Sequence, residues 1–387
     1  MTLGRDLRAL PRPAWILFAG TFVNRFGTFV LPFLMLYLTR NGYSVSRAAT
    51  AIGLYGCGHL IAALLGGHLA DRIGRRNTIA VSMFGSAIGV LALSQARGFP
   101  AIAVVTFATG MLTELYRPAS FALIADLVPA ERRVTAYGVY RLAVNLGFAA
   151  GPATAGFLAD RSFGYLFAGD AATSVVYGLI ALAALPHGLR GIAEDERIGE
   201  ALRVALRDAP YMLFLLATVG IAMIDFQSAS TFPLFVKSLG HSTSTYGVLL
   251  SENGMLIVGF ELLITAFVRR FEPRPVIAAG YFLAGIGFAL NAIARTVPEL
   301  AGTVAVWTLG EMVSSPVAGA YAAQLAPEKY RGRYMGLLTM TFGVGLVLGP
   351  VAGTWLFARS ALALWISCGI VGTLSAFLIV AGRHAKQ

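Results

Sequence analysis

The polar positions of this chain do not recur at the period of an amphipathic helix or a half-buried strand; they cluster in short breaks between long apolar runs. A run of about 20 apolar residues is what a helix needs to cross the hydrocarbon core of a bilayer. Twelve such spans are predicted, at 15–38, 48–70, 78–96, 100–124, 134–159, 165–185, 211–236, 245–268, 275–294, 299–325, 334–357 and 362–381. Helices of a large water-soluble protein would carry a polar face on most segments, and most segments here lack one. The pattern predicts an all-α membrane protein in contact with the lipid bilayer.

Composition agrees. Of 387 residues, 57% are hydrophobic and only 13% charged, and the mean hydropathy is +0.72, far from a soluble domain. A net charge of +11 would suit a nucleic-acid binder, but its distribution argues otherwise. Numbering the loops alternately, 20 of the 30 Lys and Arg residues fall on one side, 7 on the other, and Arg25, Arg117 and Arg141 within spans. That asymmetry is the positive-inside rule, so both termini are expected in the cytoplasm and no nucleic-acid partner is expected. The N-terminal apolar run is interrupted by Asn24 and Arg25 and lacks a small-residue cleavage site, so it reads as a retained helix. Cys57 and Cys368 both lie in spans; neither a disulfide framework nor a metal site is expected, nor any cofactor. Arg exceeds Lys 27 to 3, the usage of a GC-rich bacterial genome.

The chain also repeats itself. At one offset of 198 residues, Pro118, Pro129, Arg133, Gly138, Gly147, Gly151 and Pro152 meet Pro316, Pro327, Arg331, Gly336, Gly345, Gly349 and Pro350. Span 4, its loop and span 5 thus recur as span 10, its loop and span 11. Six spans separate the copies, so the repeat is parallel, about an axis along the membrane normal. The expected organisation is two six-helix bundles, 1–187 and 210–387, joined by a charged cytoplasmic linker at 188–209.

Between spans 2 and 3 stands Gly66 to Arg76, GGHLADRIGRR. Gly67 suits close helix approach, Asp71 suits a neighbouring helix N-terminus, and Gly74 suits the turn into Arg75 and Arg76. At Gly67, Leu69, Ala70, Asp71, Arg72, Gly74, Arg75 and Arg76 the segment resembles the loop between helices 2 and 3 of the major facilitator superfamily. That resemblance implies a twelve-helix fold of two bundles, transport by alternating access, and a loop that latches the outward-facing state through Asp71, with Asp126 and Arg133 as its partners. The second half has lost the pattern, with Arg269 and Glu272 where the repeat would place Asp71 and Gly74. Span 5 carries Gly147, Gly151, Pro152 and Gly156, and span 11 carries Gly345, Gly349, Pro350 and Gly353. Small residues at this spacing let helices pack backbone to backbone, and the pattern resembles the Gly-Pro motif of the drug and metabolite antiporters. The whole chain is similar to bacterial small-molecule efflux proteins, with one departure: the Arg-x-x-Gln-Gly pattern usual in span 4 is replaced by the segment from Gly110 to Pro118.

Ionisable residues inside a membrane usually face a partner or a water-filled cavity. By the same resemblance spans 1, 4, 7 and 10 line the transport cavity, and they carry Asn24, Arg25, Glu114, Arg117, Asp225, Gln227 and Glu311, with the aromatic residues Phe26, Tyr116, Phe226 and Trp307. Glu114 is a candidate proton carrier, but it shares a helix face with Arg117 and can pair with it; Arg141 on span 5, with Asn145 a turn on, is an alternative partner. Asp225 and Glu311 have no basic residue within a turn on their own helices. Burial without a cation favours the neutral form of a carboxyl, as a proton carrier requires. The alternative is that either pairs with Arg25. Glu252 and Glu261 on span 8 read as rim residues, and His59 as a packing residue.

The expected function is therefore secondary active transport, with proton-coupled export of a hydrophobic or cationic small molecule by a monomer in the bacterial cytoplasmic membrane. Proton-coupled uptake of a nutrient or metabolite is the alternative, followed by a membrane sensor or scaffold. No nucleophile–base or metal-ligand constellation supports an enzyme.

Overall fold

The structure, a computed structural model, describes residues 7–129, 132–188, 204–327 and 331–381, and among these residues it contains helices and no strand. Among the described residues, twelve helical columns of membrane-crossing length follow one another. Ten are also apolar enough to cross a bilayer, and an eleventh is the bent pair Val45–Ala63 and Leu65–Ile73. The remaining column, Val297–Leu325, has the length at 29 residues but interrupts its apolar run with Glu311, Ser314 and Ser315. Many large apolar side chains on the columns are exposed, among them Ile88, Val104, Leu262, Leu263 and Phe377. A helix apolar on every side is solvated by lipid where it is not packed by protein.

Several columns are broken where polar groups collect. Span 1 runs as Arg12–Phe26 and then Val30–Arg40. The restart leaves backbone N–H groups without intrahelical partners, and Asp170 from span 6 takes them: the N–H groups of Phe29 and Val30 donate to its Oδ2 at 3.1 and 3.0 Å. Span 4 breaks between Phe99–Glu114 and Tyr116–Leu127. Pro118 supplies no N–H for the Glu114 carbonyl four residues back. Ser82 bridges the break, donating to the Leu112 carbonyl at 2.6 Å and accepting from the Tyr116 N–H at 3.1 Å. Span 7 ends its first helix, Ala209–Asp225, in a 3-10 turn over Phe226–Ala229 before Thr231–Ser238.

Two compact units result: Met1–Tyr43, Thr50–Glu194 and Ser242–Gly254 form the first; Ser44–Ala49, Asp195–His241 and Met255–Gln387 form the second. This differs from a clean division at the linker. The start of span 8 belongs with the first unit because glycine brings it onto span 5: a Cβ on Gly254 would lie 2.6 Å from the Ala149 Cα, and one on Gly247 3.0 Å from the Gly156 Cα. Most of the predicted linker, 189–203, lies outside the described residues.

Within each unit the packing repeats. In the first, span 1 packs on spans 5 and 6, and span 3 on spans 4 and 6; in the second, span 7 packs on spans 11 and 12, and span 9 on spans 10 and 12. The glycines of the repeat do the same work in both. A Cβ on Gly151 would meet the Phe26 carbonyl oxygen of span 1 at 2.5 Å, and one on Gly349 the Met223 carbonyl oxygen of span 7 at 2.8 Å. A Cβ on Gly147 would lie 2.7 Å from Phe26 N. Pro152 and Pro350 follow inside their helices.

Candidate functional site

The first unit gathers charge around Glu114, which the break in span 4 places at a buried helix end. Arg117 Nε lies 3.0 Å from Glu114 Oε2, Arg25 from span 1 3.6 Å from Oε1, and His59 Nδ1 from span 2 3.8 Å from Oε1. The Arg25 guanidinium also lies 5.5 Å from the centre of the Tyr116 ring, a favourable cation–π arrangement. Arg25, for which the sequence left open a partnership with Asp225 or Glu311, lies against Glu114. Arg141 and Asn145 each have an interaction of their own. His59, read as a packing residue, is part of this cluster; no spacing along its own helix reveals that.

The second unit holds a cavity of about 90 Å³ bounded by Thr218, Asp225, Tyr281, Glu311, Ser314 and Ser315 with apolar Ile221, Leu338 and Phe342. Asp225 enters it from the end of the first helix of span 7, Glu311 from the middle of span 10. Asp225 Oδ1 is buried without a hydrogen-bond partner among the described residues. In the same lining the Thr218 and Tyr281 hydroxyls lie 2.9 Å apart. No Lys, Arg or His is among the lining residues. Two ionised carboxylates in one small, mostly apolar cavity repel each other, so the arrangement favours taking up positive charge.

Other residues expected at the cavity do different work. Gln227 is consumed by structure: its Nε2 donates to the Met223 and Gly349 carbonyls, both at 2.8 Å, and its Oε1 accepts from Thr231 at 2.8 Å. Trp307, 1% exposed, stacks on Phe288 at 4.3 Å and meets Phe232 edge-on at 5.1 Å, so it is core. Tyr116 is buried against Tyr177. Phe26 packs with Phe22 and Phe29, and Phe226 is half-buried in the 3-10 turn. Asp170 was not singled out from the sequence at all.

The loop between spans 2 and 3 is tied within its own unit. Gly74 has φ +92°, a conformation that suits glycine. It turns the chain so that Arg75 pairs with Asp71 and reaches Asp126 with Nε 3.5 Å from Oδ2. Arg76 meets His187 at 2.7 Å. Arg133 does not cap Asp71; it donates to the Val128 and Ala125 carbonyls at 3.1 and 2.9 Å, closing the end of span 4. Arg72 is exposed. The close approach expected at Gly67 belongs to Gly66: a Cβ on Gly67 would meet nothing within 4 Å, whereas one on Gly66 would lie 3.0 Å from the Leu115 carbonyl oxygen.

With two bundles of repeated packing and intramembrane polar sites established, comparison with known proteins fixes the class. The Major Facilitator Superfamily model matches residues 17–271 and 229–386, and the chain belongs to that family. It is a membrane transporter and not an enzyme. An MFS-type transporter of Bacillus subtilis, YqjV, is 28% identical, covering 88% of this chain and 85% of that protein. A Na(+), Li(+), K(+)/H(+) antiporter of Planococcus maritimus is 24% identical, with 86% of each covered. The multidrug resistance protein MdtH of Aeromonas hydrophila is 24% identical, with 96% of each covered. The crystal structure of a D-xylose–proton symporter, 17% identical, superposes with a TM-score of 0.76 over 96% of this chain and 98% of that one, which establishes the shared fold.

Proposed function

We propose that this transporter is a proton-driven antiporter that exports hydrophobic or cationic small molecules by alternating access, with Asp225 and Glu311 handling the proton. The observation that carries the reading is the cavity in the second unit, with two carboxyls in its wall and a buried Asp225 oxygen without a hydrogen-bond partner among the described residues. Such a group can accept a proton without breaking an existing ion pair. The names of two relatives, a multidrug resistance protein and a cation/proton antiporter, support export against protons. The Arg distribution supports two cytoplasmic termini in a bacterial inner membrane. We assign the Asp71 loop to gating, and the working unit to a monomer.

The test is transport in proteoliposomes under an imposed pH gradient, with panels of dyes, drugs and metabolites. Asp225→Asn and Glu311→Gln should each abolish gradient-driven export while leaving substrate binding intact. Near wild-type pumping by both variants overturns the assignment of the carrier. Accumulation in the direction of the proton flux would make the protein an uptake symporter.

A further inference from the structure

A second polar cavity lies in the first unit, and neither the proton assignment nor the Glu114 cluster uses it. It measures about 20 Å³, room for roughly one water-sized particle, and sits at the break in span 1. Its polar wall is Asn24, Thr28, Tyr55, Ser86, Thr109, Thr113 and Asp170, and no Lys, Arg or His is among the lining residues. Asp170 is 7% exposed and Asn24 is 4% exposed. The Asn24 Oδ1 is buried with no hydrogen-bond partner among the described residues. The Asp170 carboxylate is anchored by Oδ2, through the N–H groups of Phe29 and Val30.

A buried amide oxygen without a donor is costly unless something else satisfies it. Here it shares a one-particle cavity with a carboxylate and hydroxyl oxygens. Every donor atom is a hard oxygen, the set that binds hard cations. One carboxylate balances one positive charge, so a divalent ion would leave a net charge buried. The Thr28 hydroxyl donates to the Asn24 carbonyl at 3.0 Å, and the Thr113 hydroxyl lies 2.9 Å from that of Ser86; each retains lone pairs for an ion. Broken helices at membrane depth are where cation sites are built from freed backbone and side-chain oxygens.

We infer that this cavity is a binding site for one small alkali cation, sodium or lithium, held by Asp170, Asn24, Thr28 and Thr113. The inference rests on the first unit alone and does not depend on which molecule is exported. Binding is measured on detergent-purified full-length protein with radioactive sodium, and by thermal unfolding in NaCl or LiCl against N-methylglucamine chloride at constant ionic strength. Saturable binding of about one sodium per chain is expected, with a raised unfolding temperature, as for any ligand selective for the native state. Asp170→Asn should weaken binding at least tenfold. Because that variant also weakens the cap on span 1, Asn24→Leu and Thr28→Val, which keep the carboxylate, are decisive and should weaken binding at least tenfold as well. Asp225→Asn should leave it unchanged. No saturable binding of either ion to folded wild type would mean that the cavity holds only water and overturns the site. So would binding that survives Asn24→Leu and Thr28→Val, or binding that Asp225→Asn removes.

Discussion

The two units share a packing scheme but put opposite chemistry at their polar centres. In the first, Glu114 is met by Arg25, Arg117 and His59. In the second, Asp225 and Glu311 share a cavity whose lining contains no base. The repeat makes the contrast specific: 198 residues separate Thr113, a hydroxyl in the small first-unit cavity, from Glu311, a carboxyl in the larger second-unit one. The same helix position thus carries a neutral group in one half and an ionisable one in the other. A carboxylate already neutralised by neighbours braces its surroundings, whereas one facing a cavity is able to exchange its partner.

The largest expected effect follows from that division. Asp225→Asn should reduce gradient-driven export to background with the unfolding temperature unchanged. Glu114→Gln should do the reverse. Removing the charge leaves Arg25 buried opposite a neutral amide, and breaking a buried pair costs about 3–5 kcal/mol, with the lower end expected because Arg117 is 43% exposed. The readouts are the midpoint of thermal unfolding and the transport rate of the folded fraction. If Glu114→Gln unfolds normally yet loses coupling, the roles of the two halves must be exchanged.

The scaffold should respond equally where the chemistry does not. Gly151 and Gly349 each hold a helix against a carbonyl of the neighbouring span, so Gly151→Leu and Gly349→Leu should destabilise by similar amounts. Overpacking costs about 1–3 kcal/mol, and a clash with backbone falls at the upper end. A large difference in unfolding temperature between the two would show that the repeat is not symmetrical in energy.

The symmetry of this scaffold was readable in the sequence because it depends on residue type and spacing: apolar length fixes the spans, and Gly-Pro positions fix the close contacts. The Asp71 loop was readable for the same reason. What the sequence left open were the neighbours of a side chain, since a helical period says which residues share a face but not what that face meets. Trp307 therefore looked equivalent to a cavity aromatic and is core. Gly66 and Gly67 differ by about 100° of rotation, and only the packing tells which one faces span 4. His59 and Asp170 acquire meaning from other spans, although Asp170 carried a usable signal, a carboxyl inside a membrane helix.

The smallest predicted effect concerns the loops after spans 2 and 8, where the halves have diverged. Arg76 meets His187 beyond span 6, and its repeat equivalent Arg274, 198 residues on, donates to the Ile379 and Val380 carbonyls at the end of span 12. That strut is common to both halves. The Asp71–Arg75–Asp126 chain is not, because Arg269 and Pro273 stand at the positions of Asp71 and Arg75. A shared contact that ends a bundle is expected to serve stability, and the unshared one to serve gating. Arg274→Ala should lower the unfolding temperature slightly and leave the transport rate alone. Asp71→Asn removes a partly exposed pair worth about 0–1 kcal/mol, so folding should hardly change. A free-energy change of that size still shifts a two-state equilibrium up to about fivefold. Transport should slow by a comparable factor, with distances between spin labels on the loops at the membrane face opposite Asp71 shifting toward the inward-facing state. Unchanged distance distributions in Asp71→Asn would remove the gating role and leave the loop a second structural strut.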